Sequence, residues 1–241
     1  MDDALTIAAT GMSAVERMLE NSAHNAVNAG TPGYQRHRVT LQNFGAVLDD
    51  AASNRHLVTT SESVSFEQGN FRHSDSPFSM ALEGTAFFTV AGPDGKHYFT
   101  RNGDFVAGSD GTLRTQSGLG VIGASGNTIQ VDPLRGPIAV SKGGALSQRG
   151  AEIAQLALVE FEPVAQAQLT KAGETLFQAA PGTTPDAATS TSVHQGALEV
   201  PRFNGAMGLV GMLLASRNFD SMQRALRSIN ESHQATIRSI T

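Results

Sequence analysis

The sequence predicts an α+β protein, with N- and C-terminal α-helices packed as a helical, coiled-coil-like layer and a central, mainly antiparallel β-domain. Two observations carry this reading. Both ends of the 241-residue chain place apolar residues at heptad-like spacing, and the middle is punctuated by turn signals, with 25 glycines in all. A sustained a/d repeat specifies helices that pack on other helices. Short apolar runs between Gly-bearing turns specify antiparallel strands.

The first helix is expected within residues 1–30. Leu5, Met12, Leu19 and Ala26 recur at heptad spacing, with Ala8, Val15 and Ser22 between them. Asp2 or Asp3 caps its start, and Gly30 and Pro32 mark its end. Gly11 lies inside it and costs about 1 kcal/mol relative to Ala. Such a helix is marginal alone, because helical stability in water comes mostly from packing one face. Residues 31–80 are polar and have no long period. They read as an extended connector with short strands around Val39–Phe44 and Val64–Phe66.

Residues 81–180 read as a β-rich outer domain. Phe87–Val90 and His97–Thr100 flank a turn at Pro93-Asp94-Gly95. Phe105–Ala107 and Thr112–Gln116 flank Asp110-Gly111, and Asn102-Gly103 is a strong hairpin signal. Val121–Ile122, Thr128–Val131, Ile138–Val140 and the run through Ile153, Leu156, Leu158 and Phe161 complete a small barrel or sandwich. The strands and turns are locally complete, so a fragment of about residues 34–198 is expected to fold alone. Residues 181–204 have the Ala, Thr, Ser and Pro content of a linker. Residues 205–241 read as the second helix. In it Met212, Phe219, Leu226, His233 and Ile240 repeat at heptad spacing, and Ala215, Met222, Ile229 and Thr236 lie three places after the first four.

Composition narrows the function. A net charge of −5 and the lack of a basic block argue against nucleic-acid binding. With no Cys there are no disulfides, thiolate metal sites or Cys nucleophiles, which suits an oxidising compartment. The N-terminus lacks a basic n-region, and no apolar run reaches the roughly 20 residues of a membrane span. Gly118-Leu119-Gly120-Val121-Ile122-Gly123 spells GxGxxG, but Ala124-Ser125-Gly126-Asn127 follows it instead of a helix, so β-turn glycines are the better reading. The seven His form no metal-ligand pair, no nucleophile elbow occurs, and Asp94, Asp104 and Asp110 each sit beside a turn Gly. No catalytic residue, cofactor, metal or small-molecule substrate is therefore expected. Arg36, His37 and Arg38 solvate the connector or pair with acidic groups on a neighbour.

Several blocks carry a resemblance. Residues 23–34 read Ala-His-Asn-Ala-Val-Asn-Ala-Gly-Thr-Pro-Gly-Tyr. Leu82-Glu83-Gly84-Thr85-Ala86-Phe87-Phe88-Thr89-Val90 is a Gly-x-x-Phe-Phe strand. Tyr98-Phe99-Thr100-Arg101-Asn102-Gly103-Asp104-Phe105 is a Thr-Arg-x-Gly-x-Phe turn, and Gln195-Gly196-Ala197-Leu198-Glu199 precedes the last helix. Together, in this order, they resemble the bacterial flagellar rod and hook axial proteins. His24 stands where that family has Asn, Ala86 where it has a second Gly, and Val200-Pro201-Arg202-Phe203-Asn204 where it has an Asn-Val-Asn stretch.

The resemblance implies a structural subunit, not an enzyme. It would polymerise through its terminal helices into the axial drive-shaft tube that transmits torque and encloses the export channel. Its partners would be copies of itself, other rod and hook axial proteins, and the flagellar type III export apparatus. Its place would be the periplasmic rod of the basal body, reached without signal-peptide cleavage. With one β-domain and no room for the further domain of hook proteins, the chain is nearest the family's rod subunits, proximal before distal. The assembly residues expected are Leu5, Met12, Val15, Leu19, Asn25 and Asn28 in the first helix, and Met212, Phe219, Met222, Leu226, Ile229 and His233 in the second. A secreted enzyme lacks a catalytic constellation here. A surface-binding module would show exposed aromatics, whereas the chain has no Trp and two Tyr.

Overall fold

The computed structural model describes residues 2–43, 58–132 and 135–202, and in the C-terminal segment 208, 210–217, 219–221, 223–224, 227–228 and 231; side chains are described from residue 10, excepting 41–60. The chain divides into two compact units. The first holds Met1–Asn28, His37–Ser65 and Phe203–Thr241, and the second holds Ala29–Arg36 and Phe66–Arg202.

In the first unit, α1 (Asp2–Val27) is a 26-residue helix. Strands β1 (Arg36–Asn43) and β2 (Val58–Ser65) pair as a two-stranded sheet, and α1 lies along β2. Among the described side chains of α1, Ala14 and Val15 are the buried apolar ones. Every described residue between 208 and 231 is helical.

The second unit is built of short strands: β3 (Asn70–His73), β4 (Met80–Glu83), β5 (Phe87–Ala91), β6 (His97–Thr100), β7 (Phe105–Ala107), β8 (Leu113–Thr115), β9 (Gly120–Val121), β10 (Ile138–Val140), β11 (Ala145–Gln148), β12 (Ala151–Gln155) and β13 (Leu158–Glu160). A single-turn helix α2 (Pro163–Gln166) follows, then β14 (Thr170–Lys171), β15 (Leu176–Gln178), β16 (Asp186–Ala187), β17 (Ser192–Gln195) and β18 (Ala197–Val200). The main sheet runs β14-β15-β6-β5-β9-β8-β7, with β13 joining β5 to β16. A second sheet runs β10-β11-β12, and two ribbons pair β17 with β4 and β18 with β3. The described pairings are antiparallel, which fits hairpin and meander connections.

Strand β5 explains the core. Phe87, Phe88 and Val90 are all fully buried. Phe88 and Val90 enter the main apolar cluster with Phe105, Leu113, Val121, Leu146 and Leu156. Phe87 points the other way, into a ring cluster where Phe66, Phe161 and Phe177 lie 5.6, 5.8 and 6.2 Å from its centroid. A strand buried on both faces must read as a continuous apolar run, not an alternation. That accounts for Phe-Phe-Thr-Val, and for phenylalanine supplying the core volume that the absent tryptophan does not.

The turns fall partly as expected. Pro93-Asp94-Gly95 joins the paired strands β5 and β6, and Asp110-Gly111 joins β7 and β8. Asn102-Gly103 does not make a hairpin, because β6 pairs with β5 and β15 while β7 pairs with β8. Gly103 instead serves close approach, since a Cβ there would overlap the Met80 carbonyl. Gly118–Gly123 passes through a turn and β9, and no helix follows it.

The expected fold class needs correction. The chain is mainly β, and its described residues form no helical layer and no coiled coil. Heptad spacing specifies one apolar stripe on a helix but not the element that covers it. Among the described elements, α1 contacts a strand, β2.

Candidate functional site

The expected assembly residues do not form one exposed face. On α1, Val15 is buried, and Met12 and Leu19 are half-buried. Asn25 and Asn28 are buried and bonded within the chain. Asn25 Nδ2 donates to the His37 carbonyl at 2.8 Å, and the His37 N–H donates to Asn25 Oδ1 at 3.0 Å. A single amide thus satisfies both backbone groups of a β1 residue, as a neighbouring strand would. Asn28 Nδ2 and its backbone N–H both donate to the His24 carbonyl, at 3.0 and 3.1 Å, and cap the helix end. Met212 and Phe219 are half-buried on the C-terminal helix. The Leu5 side chain and Met222, Leu226, Ile229 and His233 lie outside the described residues.

Two features escaped sequence reasoning. One is an apolar strip on the C-terminal helix outside the heptad seam: Val210, Leu213 and Leu214 are 52, 63 and 56% exposed. Their i, i+3, i+4 spacing is legible in the sequence, beside the heptad pattern on the same helix. The other is a buried ion pair in the second unit. Arg101 Nη1 lies 3.3 Å from Glu199 Oε2, with 1 and 2% of the two side chains exposed.

This pair gathers the chain's distinctive segments. Arg101 comes from the loop after β6 and Glu199 from β18. Arg101 Nη2 also donates to the Gly84 carbonyl at 2.6 Å. The Gly69 N–H donates to Glu199 Oε1 at 2.7 Å, and the Gly33 N–H to the Glu199 backbone carbonyl at 2.8 Å. Gly33 has φ +68°, and a Cβ there would run into the Arg101–Asn102 backbone. That is why Thr31-Pro32-Gly33-Tyr34 needs glycine: the turn lies directly on the Arg-Asn segment. The Arg101 guanidinium stands 5.3 Å over the Phe87 ring, and its Nε makes no hydrogen bond. Burial pulls the guanidinium below its ordinary pKa, and the Glu199 carboxylate opposes that shift. Arginine stays charged at neutral pH even so.

The same region is where the second unit joins the rest of the chain. Arg36 Nη2 bridges Glu67 Oε2 at 3.0 Å, so Arg36 pairs within its own chain. Tyr34 is buried beneath Lys171, whose ammonium lies 4.4 Å over the ring. Burial, then the Glu174 carboxylate, raises the Tyr34 pKa, and burial lowers that of Lys171. Within the second unit, residues next to its chain boundaries are thus held by the buried Gly33–Glu199 contact and by the solvent-exposed Arg36–Glu67 pair. Beside it opens a cleft of about 360 Å³ lined by Thr31, Thr100, Asn102, Ser117 and Glu174. Five of its lining residues carry hydroxyls, and Thr100 Oγ1 is already committed to the Thr175 carbonyl at 2.7 Å. The arrangement is suited to holding chain segments in place.

Residues 81–148 match the family model described as the flagellar hook protein FlgE/F/G D1 domain. Nearly the whole chain is similar to proteins named flagellar basal-body rod protein FlgF. In Caulobacter vibrioides identity is 26%, covering 98% of this chain and 97% of that protein. In Mesorhizobium japonicum it is 28%, covering 100% and 98%. Similarity extends to the flagellar basal-body rod protein FlgG of Buchnera aphidicola subsp. Schizaphis graminum, 28% identical over 97% of each.

Proposed function

We infer that this chain is a flagellar basal-body rod protein, a structural axial subunit of the bacterial flagellum. The observation that carries the reading is the end-to-end likeness to rod proteins, covering at least 97% of this chain in each of the three named relatives. The buried junction supports it, because a load-bearing subunit needs its chain ends anchored firmly to its body. The relatives are named for structural parts, and we read this chain likewise as a non-enzymatic component.

Within the rod, the proximal position is the reading we favour, with the distal position as runner-up. Two relatives named FlgF match this chain over nearly its full length, and one named FlgG does so too. Subunits would meet copies of themselves and other axial proteins through the apolar faces of their terminal segments, Met12, Leu19, Met212 and Phe219 among them. Export through the type III apparatus without cleavage, and a periplasmic location, complete the proposal. Together the subunits would form the tube that transmits torque around the export channel.

Deletion of the gene followed by imaging of isolated basal bodies tests this. Loss of motility with a rod stopped short of its proximal segment supports the proximal reading. A rod that ends short of its distal segment favours the runner-up. Intact, functional rods in the deletion strain would remove the structural reading altogether.

A further inference from the structure

The strand pair β17–β18, residues 192–200, is the last part of the second unit in chain order, and much of the unit waits for it. Strands β3 and β4 find their described partners only in β18 and β17. Met80, Ala81 and Leu82 of β4 are completely buried, and Val193 of β17 belongs to the main core. Polar groups from distant segments also end on this stretch. The Gly33 and Gly69 N–H groups and the Arg101 guanidinium all reach Glu199. The Val140 N–H donates to Gln195 Oε1 at 3.0 Å, and Gln195 Nε2 donates to the Pro77 and Ile138 carbonyls at 2.7 and 3.0 Å.

We propose that residues 192–200 are a closing clasp, a folding checkpoint that keeps the second unit open until this stretch has been made. Without the clasp, the unit would hold a buried arginine with no counter-ion, and the buried Gly33 N–H and half-buried Gly69 and Val140 N–H groups would have no acceptor. Such groups are expensive to leave unpaired, whereas a chain still open keeps them in water. Non-local pairing of this kind is also formed late, because loop closure must precede the contacts that reward it. A strand added last therefore converts a loose intermediate into the folded unit in one step. The clasp acts on folding and is independent of what the subunit assembles into.

The test uses the full chain with a protease site placed at Gly182–Thr184, an exposed turn ahead of the clasp. Cleaving the native protein should leave both pieces bound together and the cooperative melt intact. After separation in denaturant and dilution, the piece ending before the clasp should stay protease-sensitive, and adding the other piece should restore resistance. A first piece that refolds alone to the protection of the nicked complex overturns the proposal. A second measurement isolates the polar part: full-length Glu199→Ala, which removes both the acceptor of the Gly69 N–H and the counter-ion of Arg101, should raise amide exchange at Gly69 by roughly tenfold or more. Unchanged exchange at Gly69 would show that the Glu199 carboxylate does not hold the clasp shut. Failure of either test would leave the rod assignment standing, since that rests on other observations.

Discussion

Arg101 and Glu199, from opposite parts of the second unit, form an ion pair with almost no solvent access. Neither can lose its partner cheaply. We expect Arg101→Met to cost about 3–5 kcal/mol, because it strands a buried carboxylate. Glu199→Gln keeps an acceptor for the Gly69 N–H but strands the guanidinium. The double variant should therefore lose less than the two single losses combined. Urea unfolding of the four proteins measures this, and simple additivity would mean that the pair is not coupled.

Gly33→Ala should destabilise the second unit by about 1–3 kcal/mol, through an unfavourable φ and a clash with the segment beneath it. Gly30 has a free Cβ direction with nothing within 4 Å. Gly30→Ala should accordingly leave the melting temperature nearly unchanged. Equal effects at the two positions would dissociate the turn from the junction.

Asn25→Ala removes the two-way bond to the His37 backbone. Amide exchange at His37 should accelerate, while protection in β5 and β6 stays as it was. Loss of assembly in this variant would then follow from a loosened subunit rather than from a missing contact with a neighbour. Unaltered exchange at His37 would count against the clamp that Asn25 makes.

Phe219→Asp tests the proposed interface. Phe219 is only half-buried in the subunit. The substitution should leave the second unit's melt untouched and still abolish motility, because a carboxylate in a packed contact costs several kcal/mol. Normal swimming would remove Phe219 from the interface.

Asp110 provides a pH marker. Hydrogen bonds from the Thr112 hydroxyl and N–H, and then from Arg114, hold its carboxyl at about 2 instead of the ordinary 3.8. The folded form thus binds its proton later than the unfolded form. The turn's contribution is complete above about pH 4 and is lost as the pH falls toward 2. A carboxyl NMR titration with its midpoint near the ordinary value would contradict the bonding at this turn.

The sequence exposed the local features and hid the distant ones. The turns at Asp94-Gly95 and Asp110-Gly111 were legible because each depends on adjacent residues. The strands β5 to β8 between them were legible for the same reason. Strand β17 was hidden inside a stretch with linker composition, because its partner β4 lies far back in the chain. Asn102-Gly103 carried the right residues for a hairpin, but Gly103 is there to admit the Met80 carbonyl. The Arg101–Glu199 pair was invisible as a pair, although both residues stood in motifs already singled out. The heptad seams suggested a helical, coiled-coil-like layer that the described residues do not form. The expected autonomous fragment, 34–198, would begin one residue after Gly33 and stop one before Glu199; residues 29–202 are the better choice.

The placement of the junction has a mechanical consequence. The connections of the second unit to the rest of the chain are fastened within one small region, where Gly33 and Arg36 are tied to Glu199 and Glu67. Tension applied within this unit across Gly33 and Glu199 would run across that fastening and bypass the strands of the main sheet. The core strands of this unit then carry little of the strain.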